Sequence, residues 1–406
     1  MIRKVLLRVC LLLLISPLTH AVELTGALGT HDPSRIMKDS TRYWFYMTGN
    51  GIPMSYSDNL TSWRMTIYTV FPAGTWPDWV NTAVPGFGGN FWAPDLIYMN
   101  NAYYCYYSCS TWGSSRSAIG VARSPSLNKP EWTDLGMVVS SGGTSTAINA
   151  IDPGLFKDDD GKFYMVYGSW FGGIGMVEID SVTGLATSAT THLYGGSHQA
   201  MEAANLIKEG SNYYLIVNRG TCCNGVNSTY YITAGISENV MGPYISFRTI
   251  LATDGKYIGP GHFSPLYDTC ATYASIHYYD RTANGTSKLD ILRLSFADSY
   301  PVLRRDFTFA NCGATWIEDY SADGSRPDLN VFPNPAENNQ FSITIPEEFR
   351  DENITVEVYS LDGRQLLKKD YTGIQTVPVT MSPGKGIYMV HVNNGKMAYT
   401  QKVVVQ

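Results

Sequence analysis

Five stretches of this chain share one grammar, and that repetition limits the possible folds more than any other feature. They begin at His31 ("HDPSRIMKDSTRYWFYMTG"), Trp92 ("WAPDLIYMNNAYYCYYSCS"), Ile151 ("IDPGLFKDDDGKFYMVYGS"), Glu202 ("EAANLIKEGSNYYLIVNRG") and His262 ("HFSPLYDTCATYASIHYYD"). Each opens on an entry residue and has a proline or small residue third (Pro33, Pro94, Pro153, Ala204, Ser264). An apolar pair, a polar turn and an alternating aromatic strand follow. Proline at the start of a strand withholds a ladder donor where pairing begins, and turns such as "DDDG" and "EGSN" are hairpin connections. A unit of this spacing holds about four short strands, the size of one propeller blade. No part of the span carries a sustained helical period. Five twisted sheets closed around an axis leave few free edges. The expected fold is therefore all-β, with a five-bladed β-propeller over residues 22–318. A pair of β-sandwiches leaves the fivefold repeat unexplained.

In a propeller the innermost strand of each blade starts beside the central axis. The opening pairs His31-Asp32, Trp92-Ala93, Ile151-Asp152, Glu202-Ala203 and His262-Phe263 are thereby expected at one shared cavity. Taken singly, each residue has an ordinary explanation: Asp-Pro marks a turn, a histidine a hydrogen-bonded structural position, a tryptophan the core. Taken together, Asp32, Asp152 and Glu202 repel one another on one axis, which a purely structural role does not require. Glycoside hydrolysis uses such a set: one protonated acid serves the leaving oxygen and one ionised acid activates a water. A third carboxylate raises the acid's pKa and holds it in place. With 28 Tyr and 9 Trp, the chain is also rich in flat faces for neutral sugars, and Trp92 and Trp170 are candidate platforms. There is no GxSxG elbow for a serine nucleophile, and neither a P-loop nor a dinucleotide fingerprint.

A net charge of −6 without any Lys/Arg run argues against nucleic acid and against an anionic membrane surface as partner. Residues 1–21 combine a basic start (Arg3, Lys4, Arg8), the apolar run "VCLLLLI" and the small-residue exit "LTHA", the pattern of a cleavable secretory signal. Export permits disulfides. Outside the signal the cysteines are Cys105, Cys109, Cys222, Cys223, Cys270 and Cys312, with no CxxC pair, so buried thiols or one or two bridges are expected rather than a metal site. A bond between the adjacent Cys222 and Cys223 would be strained, and at least one of them is expected to pack as a free thiol.

Taken in order, "HDP" (31–33), "FWAPD" (91–95), "SAIGVA" (117–122), "NAIDPG" (149–154), "GSWFGGI" (168–174), "MEAANLI" (201–207), "GTCCNGVNSTY" (220–230) and "GPGH" (259–262) resemble glycoside hydrolase family 43. The nearest pattern is that of the arabinan endo-1,5-α-L-arabinosidases. The resemblance covers nearly all of residues 25–320. It implies a secreted, inverting hydrolase of α-1,5-linked L-arabinan, with Asp32 as general base, Asp152 as pKa modulator and Glu202 as general acid. It further implies substrate contacts from His31, Trp92, Asn149 and Trp170, and a central calcium bound mostly through water with His262 as its protein ligand. Zinc would want several His or Cys ligands, which the expected cluster lacks. Two departures stand out. The family's "EAP" is Glu202-Ala203-Ala204 here, and Asn218-Arg219-Gly220 replaces Ser-Trp-Gly. A charged Arg219 at a cleft end could close the cleft and convert internal into terminal cleavage. The alternatives are thus an exo-acting α-L-arabinofuranosidase or β-xylosidase on the same fold and, from another class, a sugar-binding propeller without catalysis.

The tail is a second unit. Residues 319–330, polar and containing Gly and Pro, suit a linker. Residues 331–406 run "VFPNPAENNQFSITIP", "ITVEVYSLDGRQLLKKD" and a hairpin around Asn393-Asn394-Gly395, where Asn-Gly favours a tight turn. This pattern resembles the C-terminal sorting domain of type IX secretion substrates, a small Ig-like β-sandwich, and implies the secretion machinery as a partner. The absence of tryptophan in the tail argues against a carbohydrate-binding module. A monomer is expected.

Overall fold

The structure is a computed structural model that describes residues 22–309 and 329–405, apart from 145–146, 269–270, 338, 361–364, 382–384 and 395–397. The signal sequence and residues 319–328 of the linker lie outside the described residues. Two compact units divide the chain, with the strands from Thr25 to Arg304 in the first and those from Val331 to Val405 in the second.

Five sheets make up the first unit, each an antiparallel meander that starts at the axis and runs outward. Blade one contains Met37–Asp39, Arg42–Tyr46, Pro53–Ser57 and Ser62–Thr69, and Thr25–Gly26 adds a parallel outer edge. Blade two contains Asn90–Met99, Ala102–Cys109, Ala118–Ser124 and Thr133–Ser140; blade three contains Gly154–Lys157, Phe163–Tyr167, Ile174–Ile179 and Thr191–Tyr194. Blade four runs through Met201–Glu209, Asn212–Arg219, Tyr231–Ser237 and Ile245–Leu251, and blade five through Tyr257–Tyr267, Thr272–Asp280, Thr286–Ala297 and Tyr300–Arg304. The inner strands lack alternation because both faces pack against a neighbouring blade: every residue of Ala102–Cys109 is buried. Apolar clusters fill the seams, as with Trp44, Met54, Phe91 and Tyr107 between blades one and two. The ring closes where the N-terminal segment meets blade five, through Leu289 N–H donating to Leu28 O at 2.8 Å and a bridge between Gly29 and Lys288.

One backbone feature recurs five times. Asp32, Ala93, Asp152, Ala203 and His262 all have left-handed backbones, with φ of 48°, 42°, 59°, 52° and 58°. Register shifts sit at the same place in three of the inner strands, between Trp92 and Asp95, Glu202 and Asn205, and Gly261 and Ser264. Such bulges re-aim side chains at strand ends. The alignment corrects the expected register of the fifth unit. Its opening pair is Gly261-His262, so His262 corresponds to Asp32 rather than to His31. In this register Asp32 and Asp152 stand second and Glu202 first. The fifth unit misleads because its first place is a glycine. A Cβ on Gly261 would lie 2.1 Å from the Tyr230 ring, so no side chain marks the position.

A buried ion pair ties three blades together. Arg35 donates to Asp95 from Nη2 at 2.7 Å and from Nε at 3.1 Å, and its backbone N–H donates to Oδ1 at 3.1 Å. The N–H of Leu155 in blade three donates to Asp95 Oδ2 at 2.8 Å, and Leu155 O accepts from the Arg35 guanidinium.

The second unit is a seven-stranded β-sandwich. Gln365–Thr372, Asn353–Ser360, Gly386–Asn393 and Ala398–Val405 form one sheet; Gln340–Thr344 and Thr376–Thr380 belong to the other. Val331–Glu337 serves both, pairing with Gln340–Thr344 and, through Ala336, with Val405. Pro333 and Pro335 lie where it changes sheets, a position where missing ladder donors are tolerated. Asn393 pairs with Ala398, which fits the expected hairpin, although Gly395 is outside the described residues. Val356, Val358, Val390 and Val403 are fully buried in one core. Because each unit has its own core, a chain ending at Ser325 is expected to keep the thermal midpoint and the hydrolytic turnover of the full-length propeller while failing to leave the producing cell. Calorimetry, kinetics and a secretion assay check this, and loss of the propeller transition would contradict it.

Candidate active site

The left-handed residues do more than bend the chain. Each turns its N–H toward the neighbouring blade, where a side chain accepts it. Ala93 donates to Thr48 Oγ1 at 2.8 Å, Asp152 to Ser108 Oγ at 3.0 Å, His262 to Asn218 Oδ1 at 2.9 Å and Asp32 to His277 Nδ1 at 3.2 Å. Thr48, Ser108, Asn218 and His277 occupy one repeat position near the end of each blade's second strand. In blade three that position is Gly168, and Ala203 N–H goes instead to Asp152 Oδ2 at 3.1 Å. Such backbone strain persists where surrounding structure over-determines it, commonly at functional sites.

A cavity of about 760 Å³ opens at this end of the axis. Asp32, Asp152 and Glu202 line it, as do all four expected substrate contacts, His31, Trp92, Asn149 and Trp170. The exposed Trp112, which the sequence did not single out, meets Trp92 edge-on at 6.3 Å. His262 is not among the lining residues; its Nδ1 stands 3.5 Å from Asp32 Oδ1. Asn149 Oδ1 accepts from Ser117 Oγ at 2.8 Å. Arg219 does not line the cavity either. Its guanidinium lies over the rings of Tyr194 and Phe247, at 5.6 and 5.5 Å, and it donates to Tyr194 Oη. The feared closure of the cleft by Arg219 is thus absent, because stacked aromatic rings hold the guanidinium.

The carboxyls differ in their surroundings. Asp32 Oδ2 pairs with His31 Nδ1 at 2.8 Å and accepts from Thr48 Oγ1 at 2.7 Å. Burial pushes this carboxyl up, but the imidazoles of His31, His262 and His277 outweigh burial and hold it well below the ordinary carboxylate range. Asp152 has no such partners; burial first, then the charges of Glu202 and Asp32, push it far up. Glu202 is also raised, chiefly by burial, against the opposing hydrogen bonds from Ser169 Oγ at 2.7 Å and Tyr230 Oη at 2.9 Å. Burial and mutual repulsion thus bias Asp152 and Glu202 toward the protonated form and the imidazoles bias Asp32 toward the ionised one, and the upward bias belongs to the pair rather than to either residue.

Three imidazoles gather on Asp32, more than the sequence suggested, since His277 went unread. The donor atoms of His31, Asp32 and His277 lie within 4.8 Å of one another. They are already committed, however: His31 Nε2 bonds Tyr279 Oη at 2.8 Å, and His277 Nδ1 accepts the Asp32 N–H. Tyr230, Ser169 and Thr48 also escaped the sequence reading. The first two lie inside quoted motifs, and Thr48 is marked by the repeat position it shares with Ser108, Asn218 and His277.

The expectation that Cys222 or Cys223 packs as a free thiol is overturned. Cys222 and Cys223 are bonded to each other, and both line the cavity. A left-handed backbone at Cys223, with φ of 63°, turns the chain between two adjacent residues. Cys105 and Cys109 are buried free thiols, while Cys270 and Cys312 lie outside the described residues.

Comparison with known proteins agrees with this arrangement. Residues 26–298 match the model of glycosyl hydrolases family 43, and residues 330–406 match the secretion system C-terminal sorting domain. The extracellular endo-alpha-(1->5)-L-arabinanase 1 of Bacillus subtilis is 34% identical over 67% of this chain and 86% of its own length. The extracellular exo-alpha-(1->5)-L-arabinofuranosidase ArbA of Cellvibrio japonicus is 32% identical over 65% and 83%. Among solved structures, the endo-arabinanase of Bacillus licheniformis superposes with a TM-score of 0.64 at 31% identity, covering 69% of this chain and 99% of that one. An exo-1,5-alpha-L-arabinanase from a bovine ruminal metagenomic library gives 0.64 at 35%, covering 68% and 97%. With its propeller, its convergent carboxyls and its export tail, this chain belongs to glycosyl hydrolases family 43 and is a secreted glycoside hydrolase.

Proposed function

We propose that the enzyme hydrolyses α-1,5-linked L-arabinan with inversion, mainly at internal bonds. Asp32 is the general base that takes a proton from the attacking water, and Glu202 is the general acid that protonates the leaving oxygen. Asp152 keeps the acid protonated and fixes it in place. What carries this reading is the contrast among three carboxyls lining one cavity: Asp32 sits against imidazoles that lower it, while Asp152 and Glu202 are buried beside each other and raised. An inverting pair needs this division of labour from the outset, because one group must be a base while the other is an acid. The arabinan specificity rests on the named substrates of the relatives, endo and exo alike.

The endo reading draws support from Arg219, which is stacked on Tyr194 and Phe247 and is not among the residues lining the cavity, and from the tryptophans Trp92, Trp112 and Trp170 that line it. The test is the early product profile on linear arabinan. A ladder of oligosaccharides with a rapid fall in viscosity is expected, with the inverted anomer appearing first by NMR. Arabinose released alone, with viscosity hardly changed, would transfer the assignment to an exo-acting arabinofuranosidase.

Calcium at the axis is part of the same proposal, with His262 as its protein ligand. With both ring nitrogens of His31 and the Nδ1 of His277 committed, the cluster does not offer zinc the several ligands it wants, and a hard cation prefers oxygen. An ion here fits only with water as most of its shell, and the Nε2 of His277, buried without a partner among the described residues, is a group that shell water could satisfy. When bound, the ion would supply positive charge beside the carboxyls. Chelation is expected to release about one equivalent of calcium by elemental analysis and to lower the thermal midpoint. An unchanged midpoint with no metal released would reduce His262 to a partner of Asp32.

A further inference from the structure

The bonded pair Cys222–Cys223 stands at the start of a hydrogen-bonded chain that ends on Asp32. The N–H of Cys223 donates to Tyr279 Oη at 2.7 Å. Tyr279 Oη meets His31 Nε2 at 2.8 Å, and His31 Nδ1 meets Asp32 Oδ2 at 2.8 Å. In the neutral imidazole, a Tyr279 hydroxyl that accepts from Cys223 gives its own hydrogen to Nε2, which leaves the ring hydrogen on Nδ1 to face the carboxylate. The sulfur of Cys223 also lies 3.8 Å from His31 Nε2, covering the edge of the ring.

The loop that carries the pair is anchored at its base. Thr229 N–H donates to Thr221 O at 3.1 Å, and Ser228 Oγ donates to the same oxygen at 2.8 Å. Gly220 at its entrance approaches Thr229 so closely that a Cβ would lie 2.3 Å from the Thr229 carbonyl oxygen. Within this pinned loop the covalent bond between neighbouring residues fixes the direction of the Cys223 N–H, which an open pair of thiols would leave free to turn.

We propose that the Cys222–Cys223 disulfide and Tyr279 act as one positioning element, which sets the orientation of His31 and through it that of Asp32. The assignment rests on Asp32 being the general base, and it adds a role for residues that do not touch the reacting atoms. Its signature is loss of turnover without loss of substrate binding. Misplacing a catalytic group by a fraction of an ångström lowers the rate constant while the sugar contacts persist.

Tyr279→Phe, the paired variant Cys222→Ser with Cys223→Ser, and all three changes together are compared in the full-length enzyme on a linear arabino-oligosaccharide. Peptide mapping without reductant first establishes the 222–223 bond in the native enzyme. Each of the first two variants is expected to lose about tenfold in kcat with KM within about twofold. The combined variant is expected to lose about the same tenfold and not the product of the two, because both changes cut one chain. Opening the bond with a dithiol gives matching losses in the native enzyme and none in Tyr279→Phe; the dithiol yields two electrons and two protons to the cysteine sulfurs and closes to its own disulfide. Multiplicative losses, an unchanged kcat, or a rise in KM alone would overturn the proposal, the last by making the disulfide merely a wall against which the sugar packs. Should Asp32→Ala retain turnover, the base assignment fails, but the coupling between Tyr279 and the disulfide is still read from the same four enzymes.

Discussion

Replacing Asp32 by alanine is expected to reduce turnover on arabinan by about 10²–10⁴-fold, and Glu202→Ala to do the same, with both proteins folded. The two variants should then part company on an aryl arabinofuranoside whose leaving group needs little protonation. Glu202→Ala recovers most of its turnover there, since the missing proton is no longer required. Asp32→Ala does not, because the water remains unactivated. The imidazoles around Asp32 sharpen the contrast. They hold its carboxylate well below the ordinary carboxylate range, which keeps it in the form that accepts a proton from water. Steady-state kinetics on polymer and aryl glycoside check the pair, and equal losses on both substrates would move the acid away from Glu202.

The largest effect on stability is expected at Asp95. Its carboxylate, 1% exposed, pairs with the Arg35 guanidinium and accepts the Leu155 N–H. Asp95→Ala leaves the Arg35 cation without its counter-ion and strands two buried amides, those of Arg35 and Leu155, which costs about 3–5 kcal/mol. For a propeller of this size the thermal midpoint should fall by roughly 10 °C. Substituting Arg35→Met together with Asp95→Leu should restore much of the loss, since a well-packed apolar pair often matches a buried ion pair. Calorimetry on the single and double variants decides. A shift of only a degree or two for Asp95→Ala would mean that water reaches the guanidinium.

Much of this architecture is legible in the chain because the repeat is carried by local chemistry. Prolines, turn residues and aromatic strands recur in the same order, so the five blades and the convergence of Asp32, Asp152 and Glu202 follow from position alone. The fifth unit is the exception, and its reason is physical. Gly261 is bare where the Tyr230 ring packs, so His262 passes for the first residue of its unit. Thr48, His277 and Tyr279 were missed for another reason. Thr48 lies just past a blade's second strand and His277 and Tyr279 share another, and the partners of all three are set by the contact between blades, which no short window of sequence contains. Adjacency misled at Cys222 and Cys223. The two residues are bonded across a left-handed turn at Cys223 that the sequence does not announce. Arg219 misled because its charge was legible and its two stacking rings were not.

The glycine at position 168 has a consequence for anyone who edits this enzyme. In four seams a dedicated side chain receives the neighbouring blade's amide, but in the seam between blades three and four that duty falls to Asp152 itself. Changing Asp152 to alanine therefore alters architecture along with acidity, and strands the buried Ala203 amide at a cost of about 1–3 kcal/mol. Asparagine keeps an acceptor at the seam and removes only the charge, so the difference between the two variants separates fastening from chemistry. No blade here is a free-standing module: a grafted blade four would have to inherit its clasp from an active-site acid in the blade before it.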